Sequence, residues 1–209
     1  MVKLNAEVDT ATSALYRANS YPTMMILRKD GTEIDRVVGY ARAPEFIREI
    51  EKYRAGINTL ASMQAEAATK GNDPAFVVRY AEKYYYHGLY DQAREQYLRF
   101  IGLDPTIVSG EVDDAIYTLA RMSRKRKDYA ADRTYAQMIV DRYPDSDMYR
   151  PALLEIAGAW RREGVSEKAR ALYLDYAKRF PDDEDTPWAI EQADTLSARL
   201  EGKTAGAGA

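Results

Sequence analysis

Cysteine is absent from this 209-residue chain, and histidine occurs once, as His87. The first absence excludes disulfides, thiolate nucleophiles and thiolate metal sites together. The second leaves little for an imidazole metal site or a catalytic triad. No run of about 18 apolar residues is present to cross a bilayer, so no membrane insertion is expected. The opening stretch MVKLNAEVDTATSAL also lacks the apolar core of a secretory signal. Read from Met1, the chain is expected in the cytoplasm. An excess of positive charge is missing too: the net charge of -3 and pI near 5.4 give no whole-chain attraction to phosphate backbones, and nucleic acid is not an expected partner. What is there is a folding composition, 46% hydrophobic and 30% charged, enough for one or two domains with a real core. No cofactor and no metal are expected, and these residues are read as non-catalytic.

Residues 1–56 have a mixed pattern. Residues 2–8 (VKLNAEV) alternate as a short strand does, and Asp9 stands as N-cap to a helix carrying Ala14, Leu15 and Ala18. TMMILRKDGTEIDRVVGY then reads as a β-hairpin around Asp30-Gly31. APEFIREIEKYRAG reads as a helix with Pro44 in its first turn, an apolar stripe of Phe46, Ile47, Ile50 and Tyr53, and Gly56 as its stop.

The order strand, helix, Tyr21-Pro22-Thr23 loop, hairpin, helix resembles the C-terminal half of a thioredoxin fold. The resemblance covers about 50 residues. It implies a cis Tyr21–Pro22 bond and makes Tyr21, Pro22 and Thr23 the positions that carry over. The family's first half, with its Cys-x-x-Cys, has no counterpart here, so the segment is read as truncated, with unpaired strand edges that leave room for a homodimer. If an upstream signal and thiol half exist, the compartment becomes the periplasm or cell envelope.

Beyond residue 57 the chain reads as helix after helix, and it repeats. A connecting helix is expected over 57–72. Ala93, Ala131 and Ala169 recur at intervals of 38 (131−93 and 169−131), as do Tyr97, Tyr135 and Tyr173. Each Ala-x-x-x-Tyr sets a small residue one turn from an aromatic on one helix face, where a neighbouring helix can approach. Gly88 and Gly164 mark inner turns, Pro105 and Pro181 follow the second helices, and Lys127 or Arg126 replaces the turn Gly in the middle copy, predicting an altered turn. Hairpins recurring this way resemble tetratricopeptide (TPR) repeats, similar to the longer ones of bacterial cell-envelope TPR proteins. The fold class expected is therefore mostly α: a TPR-like helical solenoid over 73–200, with three hairpins and a closing helix, preceded by the small truncated α/β thioredoxin-like segment. The tail 201–209 is expected to be disordered.

In the TPR pattern, Tyr85 and Tyr86 fall on the groove side of a first helix, whereas Tyr80, Tyr84 and Tyr90 fall at packing positions. The same register places Arg124, Arg161 and Arg162 near the inner surface, where they could pair with carboxylates of an extended partner. His87 is read as a surface histidine. The resemblance thus implies a protein–protein interaction scaffold with a protein or peptide in its groove. Two alternatives stand beside it: a truncated thiol-disulfide oxidoreductase with a TPR arm, and a cysteine-free holdase. Zero cysteines favour the scaffold, because thiol–disulfide exchange needs an attacking thiolate.

Overall fold

The computed structural model describes residues 2–103 and 111–206, with side chains as far as Leu200. The chain divides between Pro105 and Thr106 into two compact units.

The first unit opens with irregular chain and a short helix α1 (Thr10–Leu15), for which Asp9 makes no side-chain cap. Residues 2–8 form no strand, and Val2 and Val8 stand in solvent. A strand exists only by pairing, and alternation alone cannot supply the partner. The hairpin does form: β1 (Thr23–Leu27) pairs antiparallel with β2 (Glu33–Val38), from Thr23 opposite Val38 to a bulge at Ile26/Leu27. Gly31 closes the turn at φ +84, a conformation that needs no Cβ. Helix α2 (Ala43–Arg54) follows with Pro44 in its first turn, and it buries Tyr53 while leaving Ile47 in solvent. Helix α3 (Leu60–Lys70) starts at Thr59, whose side chain accepts from the Ser62 amide. Helices α4 (Pro74–Tyr86) and α5 (Tyr90–Leu103) then pack together as a hairpin.

The second unit is all helix: α6 (Val112–Lys125), α7 (Tyr129–Arg142), α8 (Tyr149–Glu163), α9 (Ser166–Arg179) and α10 (Thr186–Gly206), each packed on the next. Helix α10 continues past Leu200 to Gly206, where a disordered tail is expected from sequence. Residues 207–209 of that expected tail, and Pro105, lie outside the described residues.

The three hairpins share one register. Ala81, Ala120 and Ala157 are fully buried on the first helices. Seven residues later stand Gly88, Lys127 and Gly164, all with left-handed φ (+69, +62, +88). Their amides donate to Tyr85, Arg124 and Arg161 carbonyls at 2.9, 2.9 and 3.1 Å. Twelve residues after each Ala come Ala93, Asp132 and Ala169, all fully buried on the second helices. The true intervals are therefore 120−81 = 39 and 157−120 = 37, not 38 twice. Ala131 and Tyr135 are only half-buried, and the positions facing the core one residue on are Asp132, Ala136 and Ile139. The middle turn is not altered either: Lys127 adopts the glycine conformation at a cost of about 1–2 kcal/mol.

Candidate functional site

In the second unit, Glu155 on α8 is almost fully buried and meets two guanidinium groups. Arg124 Nη1 donates to its Oε2 at 2.6 Å, and Arg162 Nη1 to its Oε1 at 2.8 Å. Arg162 also lies 3.6 Å from Asp132 Oδ2. Asp132 occupies the slot that alanine fills in the sister hairpins, and neither of its oxygens has a hydrogen-bond partner among the described residues. Burial, followed by the charge of Glu155, raises its carboxyl to about 8, with Arg162 and Arg124 pulling the other way. At neutral pH this site therefore holds a carboxyl with little reason to ionise. Arg161 Nη1 donates to Gln192 Oε1 on α10 at 2.7 Å. The Tyr173 hydroxyl nearby is held above its ordinary value by burial, against the charges of Arg161 and Arg162.

Of the arginines singled out from sequence, Arg124 and Arg162 thus come together, but on a carboxylate of their own chain. Such a buried group is tolerated only when paired, and two guanidinium forks satisfy both of its oxygens. Both arginine side chains keep part of their surface (31% and 27%), so N–H donors remain on the solvent side. Arg161 is engaged only by a neutral amide among the contacts described.

Tyr85 and Tyr86 belong to the first unit, where their rings meet edge-on at 5.5 Å. Tyr86 is exposed, and Tyr85 is half-buried against Tyr90, which is itself half-buried. Tyr80 and Tyr84 are core residues, with their hydroxyls hydrogen-bonded at 2.5 Å. The Tyr21–Pro22 bond is cis. Tyr21 is exposed, the Pro22 carbonyl accepts from the Gly39 amide at 2.9 Å, and the Thr23 hydroxyl donates to the Ser20 carbonyl.

A second charged centre was not anticipated from sequence. Asp35 in β2 is fully buried and accepts from the Leu60 amide (2.7 Å), the Arg36 amide (2.7 Å) and Lys83 Nζ (3.1 Å). His87 Nε2 lies 3.2 Å from the same carboxylate, and its Nδ1 lies 3.7 Å from Glu33. His87 is therefore not a surface residue: it is buried between two carboxylates. Burial alone would raise the Asp35 carboxyl, but the His87 hydrogen bond and the Lys83 charge outweigh it and hold the group below the ordinary carboxylate value. Next to it, Arg36 pairs with Glu33 and donates to the carbonyls of Tyr16, Arg17 and Tyr86. Adjacent residues of one strand thus serve opposite helix ends, Asp35 at the amino end of α3 and Arg36 at the carboxyl end of α4, each matching the helix dipole. This is how the hairpin is fastened to the helices of its unit. The contact lies 48 to 52 residues apart in sequence, beyond the reach of any local pattern. One signal was available, a charged pair inside the apolar run IDRVV.

Asp183, in the acidic stretch PDDEDT, accepts from the Tyr176 hydroxyl and from Arg150, both at 2.7 Å, and from the Asp185 amide. It ties α9 to the start of α10. Among the described residues no group of three metal-ligating side chains is found, and no helix is long and apolar enough to cross a membrane.

Against known proteins, the tetratricopeptide repeat family model matches residues 114–146, which lie on α6, α7 and the loop that follows. That is the hairpin with lysine in its turn and aspartate in its alanine slot. Among solved structures the chain is similar to a crystal structure of MamA, at 14% identity and a TM-score of 0.50, covering 79% of this chain and 99% of that one. At that identity the likeness concerns the fold alone: mostly α, with TPR-like solenoid architecture. No curated protein matches the chain.

Proposed function

We propose that the chain is a non-catalytic protein–protein interaction scaffold, in which the first helices of the TPR-like hairpins present a protein partner with Tyr85 and Tyr86 in one unit and Arg124, Arg161 and Arg162 in the other. The observation that carries this reading is the family match on α6 and α7, together with two further hairpins of the same turn geometry. TPR-type hairpins bury one face against the next and leave the other to ligands. Arg161 is the residue best suited to meet a partner carboxylate, since it makes no ion pair among the described residues. Arg124 and Arg162 contribute donors not used by Glu155.

Photo-crosslinking groups introduced at Tyr86 and at Arg161, in the cells that make the protein, test the reading. Discrete protein adducts at both positions are expected. Adducts no more abundant than those from an exposed control position such as Lys29 would contradict it.

A second reading concerns residues 1–56. The order of cis-proline loop, hairpin β1/β2 and helix α2 supports a thioredoxin-like remnant that acts as an attachment module, fastened by Asp35 and Arg36. These 209 residues hold no thiolate with which to run exchange chemistry.

A further inference from the structure

The second unit carries a cleft on its second-helix side that the reading above does not use. It lies between α7 and α9, is backed by α8, and is an open depression of about 730 Å3. Ile156, Trp160 and Leu172 supply its apolar wall. Its charge is lopsided: Arg133, Arg142 and Lys168 line it against a single carboxylate, Asp141, which already accepts from Gln137 Nε2 at 2.8 Å. Arg133 is paired with Glu163 at 2.6 Å. Neither Arg142 nor Lys168 meets a carboxylate among the described residues. Lys168 Nζ instead sits 3.9 Å from the centre of the Trp160 ring, and Arg133 Cζ sits 3.7 Å from it. The indole is thus covered by two cations at the wall of an open cleft, which fixes the ring and holds both charges at the cleft.

In a chain of net charge -3 this is a local reversal of sign, and it selects the occupant. A long polyanion is disfavoured by the acidic remainder of the chain, and it has no use for an apolar wall. We propose that the cleft docks an acidic segment of a partner protein, whose carboxylates meet Arg142 and Lys168 while an apolar side chain lies against Met138 and Leu172. The proposal rests on the reading of the chain as a protein-binding scaffold and adds a second surface to it.

The test uses the full chain carrying Trp188→Phe, which leaves Trp160 as its only tryptophan and an internal reporter of the cleft. Short peptides in which Asp and Glu flank a central Leu or Phe are titrated against it. Counterparts with Lys for the acids, and an oligonucleotide of equal charge, are run beside them. The expected result is a saturable change in Trp160 emission with the acidic peptides only, weakened about tenfold or more by Arg142→Glu with Lys168→Glu or by the paired alanine substitutions, weakened by salt, and unmoved by Arg161→Glu. No saturable change, equal binding of the basic peptides or the oligonucleotide, or indifference to the Arg142 and Lys168 substitutions would overturn it. If the peptides fail while crosslinks at Tyr86 and Arg161 still capture partners, the cleft assignment falls and the scaffold reading stands; failure of both removes the scaffold reading as well.

Discussion

The α6/α7 hairpin and the α8/α9 hairpin have the same backbone and different chemistry at the positions that define it. Where α8/α9 has Gly164 in the turn and Ala169 in the helix crossing, α6/α7 has Lys127 and Asp132. The hydrogen bonds that close the two turns nevertheless correspond one for one: Lys127 N to Arg124 O and Asp128 N to Ser123 O in one, Gly164 N to Arg161 O and Val165 N to Trp160 O in the other. The register of a repeat is therefore set by packing and by turn geometry, which tolerate a strained lysine and a buried acid provided that something nearby compensates. For Asp132 that something is Arg162, which belongs to the next hairpin. The middle hairpin consequently depends on its neighbour in a way that a plain Ala slot does not.

Exchanging the distinctive residues between the two hairpins sharpens this comparison. The largest effect is expected for Ala169→Asp, which places a carboxylate among Leu154, Ala157 and Tyr173 with no described guanidinium pair built to receive it; thermal or denaturant unfolding should show a loss of about 3 kcal/mol or more. Asp132→Ala goes the other way, removing a buried acid without hydrogen bonds, and should raise stability at neutral pH by about 1–2 kcal/mol. Gly164→Lys should cost about 1–2 kcal/mol through backbone conformation alone, since a Cβ there meets nothing within 4 Å. Lys127→Gly, the reverse change, should gain about 1 kcal/mol, and a loss instead would mean that the lysine side chain is held by contacts that matter more than its φ.

The pH dependence of the same pair separates them further. The folded-state carboxyl of Asp132 titrates near 8 against an ordinary 3.8. Between those values the folded chain holds a proton that the unfolded chain has released. Stability from this group is thus fully present below the lower value and declines as pH rises toward the upper one. Asp132→Asn should flatten that slope in unfolding curves measured across the window. A slope unchanged from the parent would assign it to other groups.

Much of this architecture was legible in the residues. Ala93 with Tyr97, Ala169 with Tyr173, the turn glycines 88 and 164 and the hairpin around Asp30-Gly31 all announce themselves through local spacing. The one-residue slip in the middle repeat shows locally only in Leu119-Ala120, which stand one place late, and Ala131 and Tyr135 mask it by repeating the motif beside the true positions. The prolines at 105, 144 and 181 carry the correct intervals, 39 and 37, and were the signal to follow. The strand expected over residues 2–8 failed for a different reason: alternation records which face could be buried, and it says nothing of whether a partner strand is in reach. His87 was misplaced because what buries it, Asp35, arrives from another element 52 residues away. Of the candidate site, residue types and surface could be read, but that Arg124 and Arg162 would converge on Glu155 could not, since ion-pair partners are chosen by tertiary packing.

The central claim is that the middle hairpin is a normal repeat whose alanine slot holds a buried carboxyl that burial and Glu155 keep protonated at neutral pH. Carboxyl carbon NMR of Asp132, followed through a pH titration of the intact chain, measures this most directly. A transition near 8 that is displaced when Glu155 is changed to Gln is the predicted result; an ordinary transition near 3.8, indifferent to Glu155, would contradict it.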